Sequence, residues 1–201
     1  VAALCASHDV EHVRTLTGFK WIMEPAASRP DSNWIFGYEE ALGYSVNSAV
    51  LDKDGISAAV KFLEMIETLD AMHLGPLERL DQLAFEIGLF VTHQASGKFD
   101  SIRIDSVLDA LRVAPPEEIN GSQIVATIDW LEKPPPLTTN LIEFRSKDGV
   151  RIAIRPSGTE PKVKIYLEQT ISKPVGDLAA LRSSCSENLK SLGAATLSWF
   201  S

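Results

Sequence analysis

Residues 150–168 read Val-Arg-Ile-Ala-Ile-Arg-Pro-Ser-Gly-Thr-Glu-Pro-Lys-Val-Lys-Ile-Tyr-Leu-Glu, and this stretch carries the clearest fold signal of the chain. Apolar side chains alternate on both sides of a polar centre, at Val150, Ile152 and Ile154 and again at Val163, Ile165 and Leu167. A period of two residues places each set on one face of a strand. The stretch therefore predicts two β-strands, 150–154 and 162–168, which pack against a core and are joined by a polar loop.

This loop, residues 155–162, contains the groups that bind a phosphate monoester. Such a ligand needs a cation that donates two hydrogen bonds, hydroxyl donors and exposed backbone N–H groups. The loop offers these groups at Arg155, Ser157, Gly158 and Thr159, while Lys162 and Lys164 add positive charge at its rim. On residue types alone, a polar hairpin connection without a ligand explains the loop equally well.

Further patterns surround this pair of strands. Residues 124–130 and 141–145 are typical of strands, and Asp148-Gly149 predicts the tight turn that leads into residue 150. Residues 177–192 predict a closing helix, whose inward stripe consists of Leu178, Leu181, Cys185, Leu189 and Leu192. This half of the chain predicts an α+β domain, in which an antiparallel sheet is covered by helices.

The first half of the chain has a different pattern. A turn-rich loop with Pro25 and Pro30 precedes residues 34–36, Trp-Ile-Phe, which predict a short buried strand before a polar loop. Two helices follow, with apolar stripes at Ile56, Val60, Leu63 and Ile66 and at Leu77, Leu80, Leu83 and Ile87. Asp54 is suited to cap the first of them.

This order of elements predicts an α/β domain over residues 1–92 and a second domain over residues 93–201. The linker between the two domains is predicted within residues 92–100, where Ser96-Gly97-Lys98 is typical of a flexible connection.

Composition limits the classes of partner. The 201 residues are 45% hydrophobic and carry a formal net charge of −8. This acidic balance argues against nucleic acid and acidic membranes as partners, because both require a basic protein surface. Cys5 and Cys185 lie far apart and form no metal or redox motif, so we expect reduced cysteines in a cytoplasmic protein. No apolar run is long enough for a membrane span.

The polar loop also carries a family resemblance. Its sequence, Arg-Pro-Ser-Gly-Thr-Glu-Pro-Lys, resembles over its full length the phosphate-binding signature of phosphoglucomutases and phosphomannomutases, members of the α-D-phosphohexomutase superfamily. In that family the loop lies in the C-terminal domain and holds the substrate phosphate that is not being transferred. The resemblance implies that phosphate is bound here by Arg155, Ser157, Gly158, Thr159 and Lys162.

Segments of the first half resemble the third domain of the same family. Residues 37–44, Gly-Tyr-Glu-Glu-Ala-Leu-Gly-Tyr, and 52–55, Asp-Lys-Asp-Gly, are similar to its sugar-recognition loop and the Lys-Asp-Gly that follows it. Residues 17–22, Thr-Gly-Phe-Lys-Trp-Ile, resemble a segment that brings a lysine into the active-site cleft. The resemblance implies substrate binding by Lys20, Glu39, Glu40 and Lys53. Many members have serine where Ala41 stands, so one sugar contact differs in this chain.

The resemblance also implies chemistry that lies outside these residues. Members of the family use a phosphoserine in the first domain, a Mg²⁺ ion in the second and an intermediate of the glucose 1,6-bisphosphate type. Neither catalytic motif occurs here, and Ser7-His8 is interpreted as a helix end. We therefore expect a C-terminal fragment with no catalytic or metal-binding residue. It would hold part of a three-layer α/β domain and the α+β domain, and its partners would be a hexose phosphate and the missing N-terminal domains.

Other functions stay open at this point. A phosphopentomutase of the same family, a non-catalytic module that binds sugar phosphates, and a structural or interaction domain without a ligand remain alternatives. The sequence does not separate glucose from mannose or a pentose, because epimers differ only in the direction of one hydroxyl group. Oligomeric state is equally open.

Overall fold

The computed structural model of the protein describes residues 1–29 and 31–201. The chain forms two compact units, Val1–Gln82 and Leu83–Ser201, which we call the N-terminal unit and the C-terminal unit. Pro30, part of the predicted turn-rich loop, lies outside the described residues. In the part of the chain that is described, no helix is both long and apolar enough to cross a membrane.

The N-terminal unit is mainly helical. Its elements are α1 (Ala2–Ser7), α2 (Phe19–Ile22), α3 (Glu24–Ser28), β1 (Gly37–Glu39), β2 (Gly43–Ser45), α4 (Gly55–Ala71) and the first part of α5 (Pro76–Ile87). β1 and β2 pair as a short antiparallel hairpin. A small core is formed by Phe19, Ile22 and Met23, with Trp34 packed against it.

Helix α4 begins where the sequence predicts, but its apolar stripe is exposed. The Asp54 carboxylate accepts hydrogen bonds from the N–H groups of Ile56 and Ser57, at 2.9 and 3.3 Å, so it satisfies amides that the helix leaves unpaired. Apolar stripes of helices normally face a core. On α4 and α5, however, large exposed fractions are found at Ile56 (81%), Leu63 (63%), Leu77 (74%) and Leu80 (53%).

The predicted buried strand at residues 34–36 is wrong. These residues precede β1 without forming a strand, and Ile35 and Phe36 are 56% and 47% exposed. Trp34 turns its indole toward the hairpin instead, where Nε1 donates to Ser45 Oγ at 3.2 Å. Gly37 makes room for this ring, because a Cβ atom there would lie 2.4 Å from Trp34 Cζ2.

The C-terminal unit is built on one antiparallel sheet. Its elements are β3 (Leu89–Lys98), α6 (Ser101–Val113), β4 (Glu118–Ile119), β5 (Ser122–Asp129), β6 (Ile142–Ser146), β7 (Val150–Pro156), β8 (Lys162–Ile171) and α7 (Leu178–Leu197), with 3₁₀ turns at Trp130–Glu132 and Ser198–Phe200. The strand order is β3-β8-β7-β6-β5-β4. This mixed α/β architecture, with helices packed against an antiparallel sheet, confirms the predicted fold class.

The core of this unit lies between one face of the sheet and the helices α6 and α7. It is formed by the alternating apolar side chains predicted for β7 and β8, together with Phe144, Leu108 and Leu189, and all of these residues are buried. The tight turn before β7 is also confirmed, since Gly149 has a φ of 80°. Asp177 caps α7 by accepting hydrogen bonds from two amides, as the first turn of a helix requires.

The prediction of a linker at residues 92–100 is wrong. β3 occupies most of this segment and pairs residue by residue with β8, from Leu89 opposite Ile171 to Lys98 opposite Lys162. Gly97 is a close-packing position and not a turn, because a Cβ atom there would lie 2.5 Å from the Phe99 ring. The two compact units divide between Gln82 and Leu83, earlier than the predicted division after residue 92.

Candidate functional site

In the N-terminal unit, Glu39 is held by the segment that contains Lys20. The N–H of Gly18 donates to Glu39 Oε2 at 3.0 Å, and Gly18 has a φ of 106°, which glycine adopts without steric penalty. Gly43 packs closely on the same residues, since a Cβ atom there would lie 2.5 Å from Phe19 Cε2 and 3.1 Å from Glu39 Oε1. The predicted sugar-recognition loop, residues 37–44, and the segment that contains Lys20 therefore meet at Glu39.

Lys53 lies beside the same group of residues. Its Nζ is 5.5 Å from the centroid of the Phe19 ring and 3.1 Å from Asp52 Oδ1. The backbone N–H of Lys53 donates a hydrogen bond to Asp52, and so does its side chain with a smaller effect. Both hydrogen bonds hold the pKa of Asp52 below its ordinary value. The Asp52 carboxylate is therefore ionised at neutral pH and accompanies the Lys53 ammonium group at the surface.

The two other predicted ligands of this unit lie near these residues in sequence. Lys20 is exposed, with its Nζ 4.9 Å from the centroid of the Trp21 ring. Glu40 is exposed in the turn between the two strands of the hairpin. Of the four predicted substrate-binding residues, the structure brings Glu39 and Lys53 together around Phe19.

In the C-terminal unit, the predicted phosphate loop connects β7 with β8. The loop is closed by a hydrogen bond of 2.8 Å from Ser157 N–H to the carbonyl oxygen of Lys162. Gly158 and Thr159 are exposed at its tip. Nothing lies within 4 Å of a Cβ atom built on Gly158, so the space beside the tip is open to a ligand.

Cations gather next to this loop on the sheet face opposite the core, which we call the polar face. The strand register sets Arg155 opposite Lys164 and Lys98 opposite Lys162. Directly opposed residues have Cβ atoms only about 4.5–5.5 Å apart, so these side chains share one small region. In a chain with a net charge of −8, such a group creates a local site for an anion.

Glu160 supplies a counter-charge to this group. Its Oε2 lies 2.7 Å from Lys162 Nζ. The hydrogen bond and charge of Lys162, with smaller effects of Lys98 and Lys164, hold the pKa of Glu160 below its ordinary value. The lysines thus already stabilise a negative charge at this end of the polar face.

Two residues of the polar face were not predicted as site residues. The Tyr166 hydroxyl accepts hydrogen bonds from Arg155 Nε at 3.3 Å and Nη2 at 3.1 Å. The alternation of β8 already placed Tyr166 on the same face as Lys162, and this signal could have identified it. Lys98 was missed because its segment was predicted to be a linker.

The described residues contain no site that fits a magnesium ion. Among residues 1–29 and 31–201, no group of three or more His, Cys, Asp or Glu side chains is arranged to hold a metal ion. Mg²⁺ requires near-octahedral coordination by oxygen atoms. Asp52 pairs with Lys53 and Asp54 caps α4, so this acidic pair is engaged in local structure. We assign no magnesium ligand to the described residues.

Two protein-family models match the chain. Residues 1–81 match "Phosphoglucomutase/phosphomannomutase, alpha/beta/alpha domain III", and residues 107–188 match "Phosphoglucomutase/phosphomannomutase, C-terminal domain". The first match contains Glu39 and Lys53, and the second contains the predicted phosphate loop, residues 155–162. Both models describe one family, and they match the chain in the order expected from the resemblance.

Individual relatives agree with these models. A probable phosphomannomutase of Haemophilus influenzae is 36% identical over 170 residues, which cover 84% of this chain and 33% of that protein. A probable phosphoribomutase of Schizosaccharomyces pombe is 30% identical over 188 residues, covering 83% of this chain and 32% of that protein. This chain thus spans about a third of the length of these curated relatives.

A solved structure shows the same fold. It is described as the open form of the exocytosis-sensitive phosphoprotein pp63/parafusin, a phosphoglucomutase from Paramecium. Its TM-score is 0.65 at 18% sequence identity, and the match covers 96% of this chain and 35% of that chain. Together with the two family models, these likenesses show that the chain belongs to the phosphoglucomutase/phosphomannomutase family.

Proposed function

We propose that this chain is the substrate-binding portion of a phosphohexomutase, which interconverts hexose 1-phosphate and hexose 6-phosphate through a bisphosphate intermediate. Relatives named phosphomannomutase and phosphoglucomutase support this reaction class. Because the chain spans only about a third of their length, the proposal assigns the phosphoserine nucleophile and the Mg²⁺ site to further N-terminal domains of the same protein. A cytoplasmic location is part of the same proposal.

The observation that carries the proposal is the group of cations beside an open, hydroxyl-rich loop. Arg155, Lys162 and Lys164 lie on one face at the base of the hairpin, and Ser157 and Thr159 stand in the loop itself. A phosphate dianion gains charge-assisted hydrogen bonds from such groups. The acidic chain offers this concentration of positive charge next to the hydroxyl groups of Ser157 and Thr159, as a phosphate site requires.

In the proposed mechanism, the loop holds whichever phosphate is not reacting. A bisphosphate that reorients between two transfers presents each of its phosphates in turn to the same binding site. A loop of hydroxyls, backbone N–H groups and cations suits this task, because it recognises the phosphate and not the carbon atom that carries it. Positioning of this kind supplies much of the catalysis of phosphoryl transfer.

The proposed role of the N-terminal unit is recognition of the sugar. Glu39 accepts hydrogen bonds, and adjacent sugar hydroxyls would supply donors beyond the N–H of Gly18 that it already binds. Lys53 lies next to it, with Glu40 and Lys20 on neighbouring segments as the remaining predicted ligands. Each of these residues orients substrate in the proposal, and none of them is assigned as nucleophile or metal ligand.

Calorimetric titration with glucose 1-phosphate tests the phosphate site. We expect the wild-type chain to bind and Arg155→Ala to weaken binding by about tenfold or more, since a charged hydrogen-bonding partner is lost. Thr92→Val is the matched control, because Thr92 is exposed on the polar face and lies opposite Glu168, away from the loop. Absence of binding by the wild type, or equal binding by Arg155→Ala, would reject the proposed site.

A measurement of turnover distinguishes a substrate-binding portion of a mutase from a complete enzyme. In a coupled assay that detects glucose 6-phosphate, the chain alone should show no conversion of glucose 1-phosphate. Measurable turnover by the purified chain would contradict the assignment of the nucleophile to other domains. Tight binding of sugar phosphates by a natural protein that lacks those domains would instead favour a non-catalytic binding module.

A pentose phosphate is the second candidate substrate. The relative in Schizosaccharomyces pombe, named a probable phosphoribomutase, favours it at 30% identity. The ratio of kcat/KM values for ribose 1-phosphate, mannose 1-phosphate and glucose 1-phosphate, measured on the complete protein, distinguishes the candidates. A preference for ribose 1-phosphate would replace the hexose in the proposal and leave the phosphate loop unchanged.

A further inference from the structure

Arg155 is held in place by a neighbour on the next strand. Its Nε and Nη2 atoms donate to the Tyr166 hydroxyl at 3.3 and 3.1 Å, and its Cζ lies 5.7 Å from the centroid of the Tyr166 ring. Both side chains are half-buried on the polar face. The guanidinium group is therefore fixed by hydrogen bonds and a cation–π contact before any ligand arrives.

The strand register makes this contact possible. Tyr166 lies directly opposite Ala153 on β7, and Arg155 occupies the diagonal position on the same strand. Diagonal neighbours are about 7–8 Å apart, within reach of an aromatic or other long side chain. Because Ala153 is small, the tyrosine ring can lie over it and present its hydroxyl to Arg155. A large residue at position 153 would compete for this space.

Tyr166 occupies one edge of the guanidinium group, and this determines which edge is left for a ligand. An arginine donates two parallel hydrogen bonds either from its side edge, Nε with Nη2, or from its end edge, Nη1 with Nη2. Tyr166 accepts from the side edge. The end edge, which includes Nη1, is left for a two-point contact with an anion, the geometry in which arginine binds phosphate most strongly.

We propose that Tyr166 is a positioning residue, which orients Arg155 so that its end edge meets a phosphate bound by the loop 155–162. The inference rests on the proposed function of that loop. Tyr166 does not need to touch the phosphate. It removes rotational freedom from a long side chain in the free protein, and a preorganised side chain loses less entropy on binding.

Tyr166→Phe tests the inference, because it removes only the hydroxyl and keeps the ring in the sheet. Calorimetric titrations with inorganic phosphate and with glucose 1-phosphate should each show binding weakened by about three- to tenfold, equivalent to roughly one hydrogen bond. Thr92→Val, which removes a hydroxyl elsewhere on the polar face, should leave both affinities unchanged. Thermal unfolding of all variants shows whether a loss of binding reflects a loss of folded protein.

A double-mutant cycle separates positioning from a general structural role. Arg155→Lys keeps the charge but removes the side edge that Tyr166 binds, so adding Tyr166→Phe to it should cause no further loss of phosphate affinity. A second readout is the exchange of the Arg155 Nε proton measured by NMR, which should be slow in the wild type and at least about tenfold faster in Tyr166→Phe.

The outcomes distinguish the two proposals. Unchanged phosphate affinity in Tyr166→Phe, with Arg155→Ala still impaired, overturns the positioning role and leaves the phosphate loop intact. Additive losses in the double mutant also overturn it, because they show that Tyr166 acts independently of Arg155. No phosphate binding by the wild-type chain overturns both the proposed function and this inference.

Discussion

The two units of the chain carry their candidate ligands on very different supports. In the C-terminal unit, the predicted phosphate loop connects two long strands in the middle of a sheet whose apolar face packs against α6 and α7. In the N-terminal unit, Glu39 and Lys53 lie around a three-residue core of Phe19, Ile22 and Met23. The helices α4 and α5 expose the large apolar residues that elsewhere would form a core.

This difference indicates which unit holds its ligand-binding groups in place before a ligand arrives. A ligand group on a strand within a well-packed sheet keeps its geometry because many neighbours constrain it. Arg155 has such a support, while Lys53 and Lys20 are exposed side chains resting on single aromatic rings. We therefore expect the isolated chain to hold a phosphate group more firmly than a sugar ring.

The largest expected effect is the loss of a core side chain from the C-terminal unit. Phe144→Ala should lower the free energy of unfolding by about 3–5 kcal/mol, because Phe144 is fully buried and its removal leaves a cavity. Denaturation in urea measures this change. Leu63→Ala on α4 is the control from the other unit and should change stability by at most about 0.5 kcal/mol, since Leu63 is 63% exposed. Equal losses would break the comparison between the units.

A buried charge on the polar face should give the next largest effect. Glu143 is 0% exposed, and its carboxylate accepts hydrogen bonds from Arg145 at 2.7 Å and Arg151 at 2.8 Å. Burial by itself raises the pKa of Glu143, but Arg151 and Arg145 outweigh burial and hold this pKa below its ordinary value. Glu143→Gln should therefore lose about 3 kcal/mol of stability at pH 7.

The pH dependence of this variant has a defined sign. Since the folded-state pKa of Glu143 is lowered, its stabilisation is present above the unfolded pKa of about 4.5 and is lost as pH falls through the folded-state pKa. The stability difference between wild type and Glu143→Gln should therefore shrink when unfolding is measured between pH 6 and pH 3. A constant difference over this range would show that the charge of Glu143 is not the source of the stability difference.

A glycine in the N-terminal unit gives an intermediate effect. Gly43→Ala would place a Cβ atom 2.5 Å from the Phe19 ring, so we expect a loss of about 1–3 kcal/mol and weaker binding of sugar phosphates. Gly55→Ala is the matched control, because nothing lies within 4 Å of a Cβ atom there. Full stability and unchanged binding in Gly43→Ala would mean that the close packing of Gly43 on Phe19 and Glu39 is dispensable.

The smallest expected effect is the loss of a helix cap, a feature that both units share. Asp54 caps α4 and Asp177 caps α7, each by accepting hydrogen bonds from two backbone amides. Replacing either aspartate with alanine should cost about 1 kcal/mol. If the units unfold independently, calorimetry will show that Asp54→Ala lowers only the transition of the N-terminal unit. A common shift of a single transition would show that they unfold together.

Local patterns predicted the elements that need no distant partner. The helix cap at Asp54, the closing helix that follows Asp177, the turn at Gly149 and the alternating faces of β7 and β8 were all predicted correctly. Each of these features depends on residues within a few positions of one another. The chemistry of the loop 155–162 is equally local, which is why its candidate ligands could be named from the sequence.

Distant pairing was the source of the errors. Ser96 and Gly97 predict a linker because they resemble turn residues, but the strand that pairs with them lies about seventy residues further along the chain. Residues 34–36 predict a buried strand because their side chains are large and apolar. Side-chain type predicts that a residue favours burial, but a strand also needs a partner to accept its hydrogen bonds.

The amino-acid sequence by itself determined the polar loop 155–162, its flanking strands and the family to which they point. Only the tertiary structure decided that Lys98 lies opposite Lys162, that Tyr166 holds Arg155 and that Glu143 is buried between two arginines. The physical reason is the order of the strands: each of these arrangements includes a pair of residues on different strands, which the register of the sheet brings together. A period of two residues specifies which face a side chain occupies, but its neighbours across the sheet depend on how strands far apart in sequence align.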